Sequence, residues 1–238
     1  MKRTLTILSL YPSQMNVYGD RGNVLVLRRR LEWRGYRAVV HELHPGETLP
    51  RNVDLIVGGG GQDRGQVAIQ PDLLRHRYDL RAMAEDGTPI LMVCGLYQLF
   101  GHSLQVTDGT RLAGIGILDM ETQPAPQRSI GNISAETSDF GTLVGYENHA
   151  GATTLGPEAQ PLGTVAAGQG NNGKDRTEGA RKWATFGTYL HGPLLPRNPL
   201  FADHLIRVAL ERRFGHVELP GLSHAAEQLA RVSGSRRR

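Results

Sequence analysis

The feature that most constrains this chain is a short apolar run that ends in its single cysteine. Residues 89–93 (PILMV) carry no charge and follow a turn-forming DGT segment, which predicts a buried central strand. Cys94 and Gly95 come next, and the apolar spacing of residues 96–100 predicts a helix. A cysteine on such a strand-to-helix turn lies at the carboxyl edge of a sheet, where a helix end or a histidine lowers a thiol pKa from about 8.5. The pattern predicts a cysteine nucleophile, although a lone cysteine is more commonly a buried structural residue.

Strands alternate with helices through the first hundred residues. The predicted strands cover residues 4–10, 37–43, 53–57 and 89–93, and the predicted helices cover residues 23–33 and 72–85. This order predicts an α/β fold in which helices flank a central, mostly parallel sheet. The first helix has an apolar face, and the arginines at positions 28–30 are expected in solvent.

After Gly101 the pattern changes to short strands and turns. Strands are predicted at residues 111–120, 128–137, 141–148, 162–166 and 184–190. We expect them to form a mixed or antiparallel extension of the same sheet. Asn198 and Pro199 suit an N-cap and a first helical position, which predicts a final long helix. One domain is expected over residues 1–215, followed by an extension, 216–238, with a short helix from Ser223 and a basic tail.

Composition limits the class of protein. With 238 residues, 39% of them apolar, the chain can bury the core of one α/β domain. It has no apolar run of the ~20 residues that a transmembrane helix needs, and its first apolar run lacks a signal-peptide cleavage site. One cysteine excludes an internal disulfide and is typical of a reducing cytosol. The net charge of +4 is too small to predict nucleic-acid binding.

Four consecutive glycines, residues 58–61, follow the third predicted strand. They form either a flexible turn or a loop whose N–H groups closely approach an anion or oxyanion. No Gly-Lys-Ser/Thr follows, so they are not a Walker phosphate loop. Because the next strand ends at Cys94, both loops are expected side by side at one sheet edge. A second Gly-rich stretch, GQGNNG at residues 168–173, is not followed by an apolar helix and is therefore no dinucleotide fingerprint. It is either a mobile surface hairpin or a loop that acts as a lid or contacts a partner.

His191 is the histidine that the sequence places most rigidly. It ends an apolar strand and precedes a tight Gly-Pro turn. A fixed position suits a general base, although one histidine among nine is more commonly structural.

Together these stretches resemble the class I, or triad-type, glutamine amidotransferases. The elbow VCGLYQ is similar to the C-G-G-Y-Q version of the cobyric-acid-synthase-like branch, and the matching residues are Cys94, Tyr97 and Gln98. The segment TYLHG is similar to the strand end that carries the catalytic histidine of that family. With RSIGN, YENHAG and the GNNGKD loop, the resemblance covers about residues 4–213. It points to the stand-alone glutaminase subunits of lipid II isoglutaminyl synthases.

The resemblance implies a role for five residues. Cys94 would be the nucleophile, and His191 the general base and acid. The backbone N–H groups of Gly60 and Gly95 would form the oxyanion hole. Arg128, in the RSIGN segment, would bind the substrate carboxylate, which suits the planar fork of a guanidinium. Without the resemblance, Arg128 is more simply a surface charge.

The sequence also departs from the family pattern. Met92 and Leu96 stand where the pattern has glycines. Pro193 stands where many members have a glutamate that orients the histidine, so a Cys–His dyad is expected. A backbone carbonyl is then expected to hold His191, and Glu147 is the nearest candidate for a substitute acid.

The resemblance further implies that L-glutamine is the substrate and that this chain has no cofactor or metal of its own. A Mur-ligase-like partner subunit, with ATP and Mg²⁺, would use the ammonia to amidate the D-glutamate α-carboxyl of the peptidoglycan stem peptide in lipid II. No P-loop, ATP-grasp or Mur-ligase stretch occurs in the sequence, so a heterodimer is expected. Its expected location is the cytoplasm, and through the complex the inner face of the membrane.

Three other interpretations stay open. The chain could be the glutaminase of another amidotransferase, such as a cobyric acid synthase, although those are usually fused to a synthetase domain. It could be a catalytically silent regulatory module of the same fold, which the substituted glycines and the missing acid favour. It could be a different cysteine hydrolase with a similar elbow, but the acidic residue such enzymes carry before the elbow strand is not evident.

Overall fold

A parallel sheet forms the centre of the computed structural model, which describes residues 3–223. Its strands are β1 (Thr4–Leu10), β2 (Arg37–Leu43), β3 (Leu55–Gly58) and β4 (Ile90–Val93), joined by β11 (Ala180–Lys182) and β12 (Thr185–Thr188) from late in the chain. The order across the sheet is β11-β12-β4-β3-β1-β2, and only β11 runs antiparallel to its neighbour. The predicted α/β class is confirmed, and β3 and β4 end side by side as expected.

The helices lie where the apolar spacing predicts them, with one difference. They are α1 (Arg21–Trp33), α2 (Asp63–Arg75), α3 (Arg77–Glu85), α4 (Gly95–Leu99) and α5 (Pro199–Phe214), and a 3₁₀ turn covers Leu195–Arg197. The single helix predicted at residues 72–85 is two helices. The first of them begins at Asp63 and contains Pro71 in its interior. The prediction began after Pro71 because a proline is more common at the start of a helix than inside it.

One of the arginines expected in solvent is buried. Arg30 is 1% exposed and donates from Nε and Nη2 to the two carboxylate oxygens of Asp203, at 2.7 and 2.8 Å. The bidentate pair joins α1 to α5 on one side of the sheet. The partner lies 173 residues along the chain, so helical periodicity alone could not identify it.

The strands after Gly101 correct the expectation of a single sheet. Only β11 and β12 extend the parallel sheet. The others form a second six-stranded sheet, made of β5 (Ser103–Gln105), β6 (Arg111–Ala113), β7 (Met120–Thr137), β8 (Gly141–Leu155), β9 (Gly163–Ala167) and β10 (Thr177–Glu178). The long strand β7 pairs with β8 along one edge, and with β5 and β9 along the other. Sheet membership depends on long-range pairing, which strand spacing does not encode.

The last helix begins at Pro199 with Asn198 at its N-cap position, as predicted. The Asn198 side chain makes no capping hydrogen bond, and instead exchanges two bonds with the backbone of Val144, at 2.8 and 2.9 Å. These bonds attach α5 to β8. In the part of the chain that is described, residues 216–223 contain no helix. The short helix and basic tail expected beyond Ser223 lie outside the described residues.

No helix among residues 3–223 is both long and apolar enough to cross a membrane.

Glu178 is buried where the two sheets meet. Its Oε1 accepts hydrogen bonds from the Thr188 hydroxyl at 2.6 Å and from the Tyr189 N–H at 2.9 Å, while Oε2 has no partner among the described residues. Burial raises the pKa of Glu178 from 4.5 to about 7, and the two hydrogen bonds only partly oppose that rise. Glu178 thus holds the carboxyl end of β12 in place at a cost that depends on pH.

We expect Glu178→Gln to remove a pH-dependent loss of stability. The folded protein holds a proton on Glu178 between pH 4.5 and about 7 that the unfolded chain releases, so stability falls as pH rises through this window. The difference corresponds to about 3 kcal/mol. Glutamine keeps the Oε1 acceptor and does not ionise, so its unfolding free energy relative to wild type should rise between pH 5 and pH 8. Urea unfolding at both pH values measures this. A constant difference would show that Glu178 does not titrate in this range.

Candidate active site

Cys94 lies on a strained turn between β4 and α4. Its backbone has φ 47° and ψ −104°, a conformation that is rare for a residue with a side chain. The Cys94 N–H donates to the Thr188 carbonyl of β12 at 2.8 Å, and the Cys94 carbonyl accepts from the Gln98 N–H at 2.9 Å. These bonds impose the turn, and strain of this kind is concentrated at functional sites.

Gly58 compensates for the two elbow positions at which this chain has Met92 and Leu96 instead of the family's glycines. A Cβ atom added to Gly58, at the end of β3, would overlap with the Leu96 side chain and would lie 2.7 Å from the Met92 sulfur. Met92 and Leu96 therefore fill space that a side chain at position 58 would otherwise occupy. The elbow keeps its geometry without the two family glycines.

The rest of the glycine run packs against the loop after β1, which we call the cover loop (residues 11–20). A Cβ on Gly59 would overlap with the Met15 carbonyl, and one on Gly61 with the Met15 sulfur. None of these glycines has a positive φ. They are required for space and not for backbone conformation, which favours the close-approach interpretation over the flexible turn.

His191 is placed by backbone pairing with the second sheet. Its N–H donates to the Tyr146 carbonyl of β8 at 2.8 Å, and its carbonyl accepts from the Tyr146 N–H at 3.2 Å. A Cβ added to Gly60 would lie 2.7 Å from His191 Cε1 and 3.2 Å from Cys94 Cβ. The structure thus brings Cys94, His191 and Gly60 together.

No third residue orients the His191 ring. Among residues 3–223, neither ring nitrogen of His191 has a hydrogen-bond partner, so the backbone carbonyl expected to hold it is not found. Glu147 is occupied elsewhere, because its carboxylate accepts from the N–H groups of Gln169 and Gly170 at 2.9 and 3.0 Å. The Tyr18 ring of the cover loop lies against His191 instead, with centroids 4.4 Å apart.

Burial keeps both Cys94 and His191 uncharged. It raises the pKa of the Cys94 thiol to about 12, and the Asp20 carboxylate adds to the rise. It lowers the pKa of His191 to about 3, with His149 and Arg128 as further causes. The expectation that the elbow lowers the thiol pKa is therefore wrong for this conformation. The hydrogen bond from the Gly95 N–H lowers the thiol pKa, but by less than the removal of the thiolate from water raises it.

Arg128 lies at the mouth of the cavity that contains Cys94. The cavity has a volume of roughly 340 Å³ and is also lined by Tyr18, Gln98 and Asn148. Arg128 is exposed, and its Nε donates to the Asn148 side-chain oxygen at 2.6 Å. A ligand carboxylate at this end of the cavity would meet a guanidinium held in place by Asn148.

The N–H groups of the two predicted oxyanion donors have different hydrogen-bond partners in this structure. The Gly95 N–H interacts with the Cys94 sulfur. The Gly60 N–H donates to Asp20 Oδ2 at 2.8 Å. Both glycines lie beside the nucleophile, and their role as oxyanion donors stays a prediction.

No metal site accompanies these residues. Within the described chain, no group of three or more His, Cys, Asp or Glu side chains is arranged to hold an ion.

No sequence motif predicts a functional role for the cover loop. Tyr18 and Asp20 belong to the polar segment YPSQMNVYGD, which has no periodic pattern. A signal was nevertheless present, because the segment follows a parallel strand and so begins at the same sheet edge as the loops at 58–61 and 94.

Comparison with known proteins agrees with the geometry. Residues 6–199 match the family model described as a CobB/CobQ-like glutamine amidotransferase domain. The chain is 40% identical over 210 residues to the Staphylococcus aureus protein named lipid II isoglutaminyl synthase (glutamine-hydrolyzing) subunit GatD, covering 88% of this chain and 86% of that protein. It is 32% identical over 202 residues to the cobyric acid synthase of Rhodobacter capsulatus, covering 81% of this chain but 38% of that enzyme.

Solved structures share the fold. A glutamine amidotransferase from Thermotoga maritima superposes with a TM-score of 0.54 at 14% identity, covering 98% of this chain and 90% of that one.

We expect Cys94 to react slowly with iodoacetamide, because only the thiolate is alkylated and burial disfavours it. The rate should keep rising up to pH 9.5 without a plateau. At pH 8 it should be at least tenfold below that of a cysteine in a short peptide. Mass spectrometry of the modified chain measures the rate, and Cys94→Ser, which leaves no thiol, is the control. A plateau below pH 8.5 would contradict the neutral thiol.

Proposed function

The chain belongs to the CobB/CobQ-like glutamine amidotransferase family, and we propose that it is the glutaminase subunit of a two-chain lipid II isoglutaminyl synthase. It hydrolyses L-glutamine to glutamate and ammonia. The observation that carries the proposal is the juxtaposition of the strained Cys94 with His191 across Gly60. Cys94 also lines a cavity together with Arg128.

The first half of the reaction forms a thioester. His191 takes the proton of the Cys94 thiol, and the thiolate attacks the side-chain carboxamide carbon of glutamine. The negative charge on the former carbonyl oxygen is held by backbone N–H groups, with Gly60 and Gly95 as donors. His191 then gives its proton to the departing nitrogen, so ammonia leaves and a γ-glutamyl thioester remains on Cys94.

The second half consumes water. His191 removes a proton from a water molecule that attacks the thioester carbonyl, and the thiolate leaves with a proton returned by His191. Glutamate is released and the enzyme regains its starting state. Because no acid contacts His191 within the described residues, Cys94 and His191 act as a dyad. A thiol tolerates this better than a hydroxyl, since it ionises nearer neutral pH.

Arg128 binds the α-carboxylate of glutamine. It lies at the mouth of the Cys94 cavity, and Asn148 holds its Nε. A fixed guanidinium presents parallel N–H donors to a carboxylate and orients the other end of the substrate towards the nucleophile.

A partner subunit consumes the ammonia. The S. aureus relative is named as a subunit of a synthase, which supports a heterodimer for this chain as well. The partner is a Mur-ligase-like synthetase that uses ATP and Mg²⁺ to activate the D-glutamate α-carboxyl of the stem peptide. Lipid II is thus reached through the partner, in the cytoplasm at the inner face of the membrane.

Sequence identity favours the lipid II synthase subunit over the cobyric acid synthase alternative. This chain is 40% identical to the S. aureus subunit and 32% identical to the R. capsulatus enzyme. A catalytically silent module is disfavoured, because Gly58 has no side chain and so leaves room for Met92 and Leu96. The two substitutions therefore do not distort the elbow.

We expect Cys94→Ser to lower kcat for ammonia release from glutamine by at least a thousandfold, since a serine hydroxyl beside an unoriented histidine is a poor nucleophile. Ammonia release is measured for the isolated chain and for the chain co-expressed with its synthetase. We expect the complex to release ammonia faster than the isolated chain. An unchanged thermal unfolding midpoint is the control for folding. Retained activity in the variant would overturn the assignment of Cys94.

Replacing Arg128 by alanine should weaken the use of glutamine, by about 2–5 kcal/mol in kcat/KM if bound glutamine buries the ion pair, because the substrate carboxylate loses its partner. The loss should be mainly in KM. Arg111→Ala is the matched control, since Arg111 is an exposed arginine of the same sheet that pairs with Glu121. Equal kinetics for the two variants would reduce Arg128 to a surface charge.

A further inference from the structure

A buried carboxylate occupies one of the donors of the proposed oxyanion hole. Asp20 Oδ2 accepts the Gly60 N–H at 2.8 Å, and Gly60 lies against both Cys94 and His191. Asp20 is 2% exposed, and its other oxygen, Oδ1, has no hydrogen-bond partner among the described residues. A helix cap or surface ion pair therefore does not explain the burial of this side chain.

The contact is built into the cover loop. The Val17 N–H donates to the Gly60 carbonyl at 3.1 Å, so both backbone polar groups of Gly60 are bonded to this loop. Tyr18 of the same loop lies against the His191 ring. One segment therefore covers the histidine and fills the backbone donor at the same time.

Resting on the proposed glutaminase function, we propose that Asp20 is an internal inhibitor of the oxyanion hole. Its carboxylate takes the N–H that would stabilise the tetrahedral oxyanion, and its negative charge opposes formation of the Cys94 thiolate. Hydrolysis then requires the cover loop to withdraw Asp20, which frees the Gly60 N–H and uncovers His191 in the same movement.

The charges around Cys94 agree with this role. Asp20 and the more distant Asp63 oppose the thiolate, whereas Arg128 favours it, and after burial Asp20 has the largest effect on the thiol pKa. Burial raises the pKa of Asp20 itself to about 6, so the carboxylate is mostly ionised at pH 7 and above. Two negative charges, a thiolate and a carboxylate, cannot share one buried site without a large mutual penalty.

The geometry limits how Asp20 can leave. The adjoining cavity that it lines beside Gly59 and Asn16 has a volume of only roughly 10 Å³, about the space of one water molecule. That space offers the carboxylate little room to rotate away from the Gly60 N–H. We infer that Asp20 leaves by a movement of the loop backbone, which makes the site dependent on whatever binds the cover loop.

The test is Asp20→Asn, which keeps an oxygen acceptor for the Gly60 N–H and removes the charge. Asp63→Asn is the matched control, because Asp63 is an acid that lines the cavity of Cys94 and accepts a hydrogen bond from Thr107, not from the glycine run. Iodoacetamide alkylation of the isolated chain at pH 8 should be at least tenfold faster in Asp20→Asn than in wild type, and less than threefold faster in Asp63→Asn. Glutamine hydrolysis by isolated Asp20→Ala, which removes both the charge and the acceptor that occupies the Gly60 N–H, should rise at least fivefold.

Alkylation no faster than in the Asp63→Asn control would overturn the proposal. Faster alkylation with slower hydrolysis would also overturn it, since Asp20 would then assist the reaction. If neither wild type nor Asp20→Ala releases ammonia, alone or with the co-expressed synthetase, while alkylation accelerates as stated, the glutaminase assignment fails and the control of the thiol by Asp20 stands. Should Asp20→Asn not fold, as judged by thermal unfolding, Asp20→Ser makes the same comparison with a smaller side chain.

Discussion

The parallel pairing of β12 with β4 is the interaction on which the site depends. The two strands come from distant parts of the chain, yet the Cys94 N–H donates to the Thr188 carbonyl at 2.8 Å. This bond fixes the end of both strands in one register. Cys94 directly follows β4, and His191 lies three residues after the end of β12. The Glu178 side chain and the Tyr146 backbone hold the segment after β12 by hydrogen bonds. A shift of β12 by one residue would separate the pair.

Close packing gives the site its geometry and also suppresses its chemistry. The glycine run, the elbow and the cover loop approach so closely that no added methyl group fits at positions 58–61. The same packing removes water from Cys94 and His191 and disfavours both charged forms. On the proposed role of Asp20, such a site is assembled but held inactive, and a partner that moves the cover loop would activate it without rebuilding the scaffold.

The sequence predicts most of what local patterns encode. Apolar runs and turn residues identify β1–β4 and α1, and the resemblance around Cys94 and TYLHG identifies both reactive side chains. Local patterns do not show which distant residues pair with each other. The bidentate bond of Arg30 to Asp203 and the contact of Asp20 with Gly60 join residues 173 and 40 positions apart. The second sheet likewise depends on which strands pair, and strand spacing does not identify the partners. The shift of the Cys94 pKa, which is upward and not downward as predicted, has the same origin, because burial is a property of the packed fold.

The overlap of Gly58 with Met92 and Leu96 has a consequence for how such a chain can diverge. The three positions share one fixed volume between two neighbouring strands and the helix that follows. A larger residue at 58 is tolerated only together with smaller ones at 92 and 96, whereas a glycine at 92 alone would leave a void. Related sequences can thus exchange bulk between the two strands while the elbow stays where it is, and a glycine missing from the motif does not by itself indicate a lost activity.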